Sequence, residues 1–262
     1  MNNQMQVAFA ASRNLYPYLG PCYVSLLEHN PDAKVWFFIE DDRLPYETPE
    51  NIEFVNCSKQ TVFGADCVNA KTSYTYLSML RGAYPMLFNG KDNGCGIRPL
   101  PKLDKLISLD VDVIVRESLR PLWEIDMGEA YMCACEETLG SYKPFGKDKP
   151  YWNFGVAVMG LEAMRRDGMD AEVIRLLNEV KLRQIDQDAM AKICTDHPGK
   201  ALPMGPKWNE HFLVTQSLNP KIVHFAGCPD WYENPDLERG AYLEPYKRYY
   251  RVDECRIAGI KC

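Results

Sequence analysis

Apolar runs alternate with stretches of helical periodicity along this chain, which predicts strands alternating with helices. The strand-like runs lie at 6–11, 33–40, 52–55, 106–109, 113–115, 130–135, 154–161 and 221–225. Helical spacing covers 16–27, 71–87, 161–181, where a break is expected near Gly168, and 186–194. This order is typical of an α/β fold with a largely parallel sheet. Because no internal repeat and no linker rich in Pro, Gly or Ser interrupts it, we predict one domain over 1–262.

Two carboxylates interrupt one of the apolar runs. Asp110 and Asp112 lie between the segments 106–109 and 113–115. Aspartate is disfavoured in strand interiors and is costly to bury without a partner. A divalent cation such as Mg²⁺ or Mn²⁺ would compensate, because such ions prefer oxygen ligands. A solvated turn is the alternative, but it would not need apolar residues on both sides. The pair therefore predicts a metal-dependent enzyme with its metal at the end of a central strand.

Composition narrows the possible partners and the compartment. The 262 residues, 46% of them hydrophobic, suffice for a sizeable core. A net charge of −6 without a dense Lys/Arg run predicts no nucleic-acid partner. No segment approaches the roughly 20 apolar residues of a membrane span. The polar N-terminus shows no export signal, so we expect a cytoplasmic protein whose ten cysteines are reduced thiols.

Five segments, taken in order, resemble glycosyltransferase family 8, the retaining nucleotide-sugar transferases of the GT-A fold. They are Ala10-Ala11-Ser12-Arg13-Asn14, Thr75-Tyr76-Leu77-Ser78, Asp110-Val111-Asp112, Tyr151-Trp152-Asn153-Phe154-Gly155 with Asp186-Gln187-Asp188, and His224-Phe225-Ala226-Gly227. The resemblance covers nearly the whole chain and is most specific at the Asp-x-Asp segment. It implies a GT-A fold, that is, a Rossmann-like nucleotide-binding mixed sheet flanked by helices in a single α/β domain.

The resemblance also implies a reaction. A hexose would move from a UDP-sugar to a carbohydrate, glycolipid or protein acceptor with retention, aided by Mn²⁺ or Mg²⁺. Asp110, Asp112 and His224 would hold the metal. Asp110, Asp186 and Gln187 would be catalytic, with Asp186 on sugar hydroxyls and Gln187 near the anomeric carbon.

A further set of residues is implied for nucleotide and sugar binding. Asn153 would contact sugar hydroxyls, and Gly155 would let the backbone approach the sugar closely. Phe154 is bulkier than the usual Ser or Ala, which predicts a reshaped sugar pocket. The full set comprises Ala10, Ala11, Ser12, Asn14, Tyr76, Arg81, Leu109, Val111, Asn153, Gly155 and Gly227.

Three positions depart from the family pattern by losing a donor-binding group. Ser12 replaces an aspartate, Ser78 replaces an arginine, and Asp230 lies near the place of a lysine that faces the leaving diphosphate. Arg81, one helical turn after Ser78, could substitute for the arginine, unless it is a solvated helix charge. The candidates to replace the lysine are, in order of preference, Lys207, Arg81 and Arg13.

Other interpretations stay open at this point. The three losses favour, as the alternative, a catalytically weak or inactive nucleotide-sugar-binding relative. Asp186 could instead cap a helix, and His224 could be an ordinary core histidine. Self-glycosylation, as in glycogenin, would use Tyr249 or Tyr250, although such a pair is more typical of packing. An Asp-x-Asp phosphohydrolase is disfavoured, because its usual threonine does not follow the pair.

Overall fold

The structure is a computed structural model that describes residues 4–70, 75–211, 213–214 and 217–226. Its strands are β1 (Gln6–Ala10), β2 (Lys34–Ile39), β3 (Ile52–Asn56), β4 (Leu106–Leu109), β5 (Val113–Val115), β6 (Met132–Glu136), β7 (Trp152–Met159), β8 (Ala201–Pro203) and β9 (Ile222–His224). Its α-helices are α1 (Gly20–His29), α2 (Tyr76–Leu80), α3 (Tyr84–Leu87), α4 (Arg120–Trp123), α5 (Leu161–Arg166), α6 (Met169–Glu179) and α7 (Ile185–Asp196). Short 3₁₀ turns cover Arg13–Tyr18, Arg81–Ala83 and Pro206–Trp208.

A mixed sheet of seven strands forms the centre, in the order β3-β2-β1-β4-β7-β6-β8. Strands β3, β2, β1 and β4 run parallel, whereas β7 runs antiparallel to both β4 and β6. Strands β5 and β9 form a separate antiparallel ribbon in which Val113 lies opposite His224. The mixed sheet flanked by helices confirms the predicted fold class.

Apolar side chains cover both faces of the sheet. Along β1, Ala8 joins the cluster that packs under α2, α3, α5, α6 and α7. Its neighbours Val7 and Phe9 join the opposite cluster, under α1 and α4. Strands covered on both faces appear in the sequence as continuous apolar runs, which is the pattern observed here. Within the described residues, none of the helices has the length and apolar character needed to cross a membrane.

Prolines shorten two of the predicted helices. The predicted helix at 16–27 is a 3₁₀ turn containing Pro17, followed by α1, where Pro21 occupies the first turn. The stretch predicted as one helix at 71–87 is α2, a 3₁₀ turn and α3 within its described part, with Pro85 in the first turn of α3. Proline lacks an N–H donor and is tolerated only in the first turn of a helix, so each helix restarts there. Helix α4 and strand β8 were not predicted.

The break predicted near Gly168 is confirmed. Helix α5 ends just before it, and Gly168 adopts the left-handed conformation with a φ of 74°. Its N–H donates to the carbonyl of Arg165 at 3.2 Å, as a glycine that terminates a helix does. Helix α6 then begins at Met169.

Replacing Gly168 with alanine should therefore destabilise the fold by about 1 kcal/mol, the cost of the left-handed conformation for an L-residue. A Cβ at this position would meet nothing within 4 Å, so packing does not contribute to the effect. Urea unfolding measures the change. Gly168→Asn is the control, since asparagine tolerates this conformation and should lose less. Equal stability of the alanine variant and the unchanged protein would contradict the argument.

The chain leaves the central sheet between β4 and β5. The N–H of Asp110 still donates to the carbonyl of Gly155 on β7 at 2.7 Å, and three residues later Val113 pairs with β9 instead. The apolar run predicted to continue through 113–115 is thus two strands in two sheets. Asp110 and Asp112 lie at this switch, at the carboxyl end of a parallel strand, where open α/β sheets usually bind ligands.

Candidate active site

Asp110, Asp112 and His224 converge at the switch between the two sheets. His224 Nε2 lies 3.5 Å from Asp110 Oδ2 and 3.3 Å from Asp112 Oδ1. One ligand atom from each of the three residues lies within 4.8 Å of the others. The predicted convergence of these side chains is therefore confirmed. Two carboxylate oxygens and one imidazole nitrogen suit Mn²⁺ or Mg²⁺, and we call this group the metal cluster.

Gly155 leaves the space that the metal cluster fills. A Cβ at this position would lie 2.1 Å from His224 Cε1, 2.8 Å from His224 Nε2 and 2.7 Å from Asp110 Oδ2. Real Cβ atoms do not approach other atoms so closely, so only glycine fits under the two side chains. The close approach predicted at Gly155 was to a sugar, whereas the structure uses this space for the metal cluster itself.

A chain of side-chain amides orients His224. Asn209 Nδ2 donates to Asn153 Oδ1 at 2.8 Å, which turns Asn209 Oδ1 towards His224 Nδ1, also at 2.8 Å. Nδ1 must therefore carry a proton and donate it to this oxygen, and Nε2 faces the two aspartates. Asn153 Oδ1 also accepts from the N–H of Gly155 at 3.0 Å. Such partners fix the ring of a ligating histidine and its tautomer.

The buried carboxylate of Glu137, just after β6, continues this chain. Its Oε1 accepts from Asn153 Nδ2 at 2.9 Å and from Gln187 Nε2 at 3.0 Å. Gln187 Oε1 in turn accepts from the N–H of Phe154 at 3.1 Å. Both the oxygen and the nitrogen of the Asn153 side-chain amide thus bind other groups of the protein, so the structure gives this residue a positioning role besides the predicted sugar contact.

Arg81 lies between two carboxylates and is 6% exposed, so its interpretation as a solvated helix charge is wrong. It forms an ion pair with Asp110, and its Nε donates to Asp186 Oδ2 at 2.9 Å. The guanidinium also donates to the carbonyl of Phe154 at 3.3 Å and lies 5.2 Å from the centre of that ring. The Phe154 side chain is buried in the core, where it supports Arg81 rather than reshaping a sugar pocket.

These contacts set the ionisation of the site. Burial raises the pKa of Asp186 to about 6, although Arg81 opposes the shift. Burial would also raise the pKa of Asp110, but Arg81 and His224 outweigh it and hold that pKa below its ordinary value. Burial would lower the pKa of His224, yet the facing carboxylates of Asp112 and Asp110 raise it to about 9. The cluster therefore attracts positive charge.

Two cavities meet at the metal cluster. The Ser12 cavity, of about 310 Å³, is lined by residues at the end of β1 and by Thr75 and Ser78. The Glu137 cavity, of about 350 Å³, is lined by Glu137, Tyr142 and the residues around Gln187. Both share the same four charged side chains, namely Arg81, Asp110, Asp112 and Asp186. The shared charges thus lie where a ligand could extend from one cavity into the other.

Comparison with known proteins decides the family. The model of the family described as "Glycosyl transferase family 8" matches residues 6–230. The chain belongs to glycosyltransferase family 8. The predicted family is thereby confirmed.

The chain is also similar to individual proteins, and the solved structure among them shares its fold. General stress protein A of Bacillus subtilis is 25% identical over 184 residues, which cover 60% of this chain and 62% of that protein. A relative from Haemophilus influenzae is 23% identical over 205 residues, or 72% of this chain and 59% of the relative. The chain thus spans about three fifths of the length of these curated relatives. The crystal structure of the galactosyltransferase LgtC with donor and acceptor sugar analogs is 20% identical, with a TM-score of 0.65 over 94% of this chain and 96% of that chain.

The other residues that the family 8 resemblance implied fall into three groups. Ala10, Ser12, Asn14 and Val111 line the Ser12 cavity. Ala11 and Leu109 are buried in the core, and the hydroxyl of Tyr76 donates to the carbonyl of Cys57 at 3.3 Å, outside both linings. The predictions that concern Gly227, Asp230, Tyr249 and Tyr250 lie outside the described residues.

Arg81 is the candidate that could replace the missing family 8 lysine. It lines both cavities. Lys207, the preferred candidate, is exposed and lies over the ring of Trp208 at 5.6 Å, away from both linings. Arg13 is exposed and paired with Asp41. The order of preference drawn from the sequence is therefore not supported.

The prediction from the sequence missed two residues of the site, Glu137 and Asn209, and left open a capping role for Asp186. Glu137 follows a buried strand just as Asp110 does, so the same sequence pattern, a carboxylate directly after an apolar run, could have identified it. The role of Asn209 carries no comparable signal. Asp186 does not cap α7, because it lies inside the first turn of the helix, whose N-cap position is Gln184 and has no side-chain capping bond. The N–H groups of Arg183 and Gln184 donate to the carboxylate of Asp188, at 2.9 and 3.0 Å. Between these residues Ile185 has a φ of 34°, which is strained for a branched side chain.

Proposed function

We propose that the protein is a metal-dependent glycosyltransferase that moves a hexose from a UDP-sugar to an acceptor hydroxyl, with retention of the anomeric configuration. The observation that carries the proposal is the metal cluster at the junction of the two cavities. The Ser12 cavity would hold the nucleoside, and the Glu137 cavity would hold the transferred sugar beside the acceptor. In support, LgtC shares the fold, is a galactosyltransferase and binds donor and acceptor sugar analogs.

The metal cluster would hold Mn²⁺ or Mg²⁺ through Asp112, His224 and the Oδ2 of Asp110. Its donor atoms fit a hard divalent ion, and Gly155 makes room for them. When bound, the ion would act as a Lewis acid that stabilises negative charge on the leaving diphosphate.

The protein's own groups would orient the reacting sugar. Arg81 holds the carboxylate of Asp186 at the wall that both cavities share, where it would accept hydrogen bonds from sugar hydroxyls. Glu137 and the N–H of Phe154 fix Gln187, which would lie near the anomeric carbon. The acceptor hydroxyl would attack from the face on which the diphosphate leaves, and its proton would depart with UDP. Attack on that face gives retention.

Release of UDP from a panel of UDP-hexoses in the presence of Mn²⁺ tests the proposal. EDTA should abolish release. Asp112→Asn should slow it by roughly a hundredfold or more, since groups that stabilise charge on a leaving oxygen contribute about that much. Asp196→Asn is the matched control, because Asp196 lies at the end of α7 in a surface pair with Lys192.

The outcomes separate two candidate functions. Full activity in EDTA would exclude a role of the metal in the reaction. Calorimetry that detects UDP binding without turnover of any donor would instead favour a nucleotide-sugar-binding relative. The replacement of donor-binding groups at Ser12 and Ser78 is the observation that favours this second candidate.

A further inference from the structure

Arg183 lines the Glu137 cavity but not the Ser12 cavity. It lies just before α7, the helix that carries Asp186 and Gln187. Arg183 therefore borders the space in which the proposed function places the transferred sugar and the acceptor, and its guanidinium lies over Tyr142, another residue of this lining. The established family and the metal cluster assign no task to this side chain.

Arg183 is held in place at its backbone and at its guanidinium. Its backbone N–H donates to Asp188 Oδ2 at 2.9 Å, and its guanidinium lies 4.8 Å from the centre of the Tyr142 ring. The Tyr142 hydroxyl donates to the same Asp188 oxygen at 3.0 Å, so one buried carboxylate anchors the backbone and the aromatic support. A guanidinium stacked on an aromatic ring is pre-oriented, with its N–H groups still available.

The positive charge of Arg183 has no carboxylate partner within 4.0 Å among the described residues. Asp188 is engaged by Tyr142, Tyr151 and two backbone N–H groups. The other cation on this cavity, Arg81, is paired with Asp110 and Asp186. Within the described part of the chain, the guanidinium of Arg183 is thus oriented by Tyr142 at this cavity and is not neutralised by a carboxylate. Its planar fork matches carboxylate and phosphate groups, which it binds through two parallel hydrogen bonds.

We propose that Arg183 binds an anionic group, a carboxylate or a phosphate, on the sugar held in the Glu137 cavity. This inference rests on the proposed function and names its substrate class, an acidic sugar. The anionic group has two possible sources, the transferred sugar of the donor and the acceptor. Either source would present the same kind of anionic group to Arg183, and the experiment below distinguishes the two sources.

Matched pairs of substrates test the inference. In the donor arm, release of UDP from UDP-glucuronate is compared with release from UDP-glucose, each with Mn²⁺. In the acceptor arm, glucuronate and glucose 6-phosphate are compared with glucose as stimulators of UDP release. The unchanged protein should favour the acidic member in one arm. In that arm, Arg183→Gln should lower the acidic-to-neutral ratio of kcat/KM about tenfold, which corresponds to about 1.4 kcal/mol.

Two further variants separate specific binding from a general effect. Arg175→Gln removes the same charge from α6, where Arg175 pairs with Glu172 and Glu179, and should leave the ratio unchanged. Arg183→Lys should restore part of the ratio, since it keeps the charge but loses the planar fork. An unchanged ratio in both arms for Arg183→Gln would overturn the inference, as would a preference of the unchanged protein for the neutral member in both.

Failure of the proposed function gives a different signature. If no UDP-sugar is turned over, the proposed function fails, and binding then tests Arg183 by itself. Saturation-transfer NMR with Mg²⁺ and UDP would compare glucuronate and glucose on the unchanged protein and on Arg183→Gln. A glucuronate signal that disappears with the substitution supports the inference. Equal signals for both sugars on both proteins overturn it.

Discussion

Replacing Gly155 with alanine should abolish metal binding and lower turnover by roughly a hundredfold or more. The new Cβ would lie 2.1 Å from His224 Cε1 and 2.7 Å from Asp110 Oδ2, so both ligands must move. Asn209 and the ribbon formed by β5 and β9 hold the imidazole in place, which leaves it little room to adjust. Displacement of a catalytic group by about 1 Å commonly costs that much in rate. Titration with Mn²⁺, followed by the EPR signal of the free ion, measures the loss of binding.

Gly205→Ala is the matched control for this substitution. Gly205 has a φ of −65°, and a Cβ there would meet nothing within 4 Å. The control should therefore bind Mn²⁺ like the unchanged protein. If Gly155→Ala also binds Mn²⁺ with unchanged affinity, the close packing of Gly155 against the metal cluster has no functional consequence.

Replacing Arg81 with alanine should destabilise the protein by about 3–5 kcal/mol and remove its activity. The substitution leaves the buried carboxylate of Asp186 without its cation and removes one of the two cationic partners of Asp110, and breaking a buried pair from one side typically costs this much. The carbonyl of Phe154 also loses a donor. Urea unfolding at several pH values measures the loss, and turnover is measured below the unfolding range.

The loss should be larger at pH 8 than at pH 5. The pKa of Asp186 is already raised from 3.8 to about 6, so its contribution to stability is full below about pH 4 and is lost as the pH rises through 6. Without Arg81 the ionised form of Asp186 becomes costlier still, whereas its protonated form is little affected. Arg175→Ala is the control, because exposed ion pairs contribute at most about 1 kcal/mol. Equal stability of Arg81→Ala and this control at pH 8 would contradict the role given to Arg81.

The sequence predicts the central strands well, because burial on both faces makes them continuous apolar runs. It also predicts the metal pair, since two aspartates between apolar segments need a compensating partner. It does not reveal that the chain changes sheets between Leu109 and Val113, because both segments have the same apolar pattern. The difference lies in their partners, Gly155 and the strand that contains His224, which are distant in the sequence.

The burial of Arg81 shows most clearly what a sequence pattern leaves out. Its two carboxylate partners lie 29 and 105 positions away, so no local periodicity distinguishes it from a solvated charge. The neighbours of Lys207 in the sequence favour it as the candidate, yet its side chain lies over Trp208. Glu137 is the opposite case, because a carboxylate after a buried strand is a local signal of the same kind as Asp110.

Metal binding at the junction of the two cavities is the central claim. An anomalous difference map from crystals grown with Mn²⁺ and UDP tests it most directly. We expect one strong peak within coordination distance of Asp112, His224 and Asp110 Oδ2, with the diphosphate of UDP beside it and the uridine in the Ser12 cavity. UDP bound in that cavity without a peak at these three residues, or a peak at other residues, would contradict the claim.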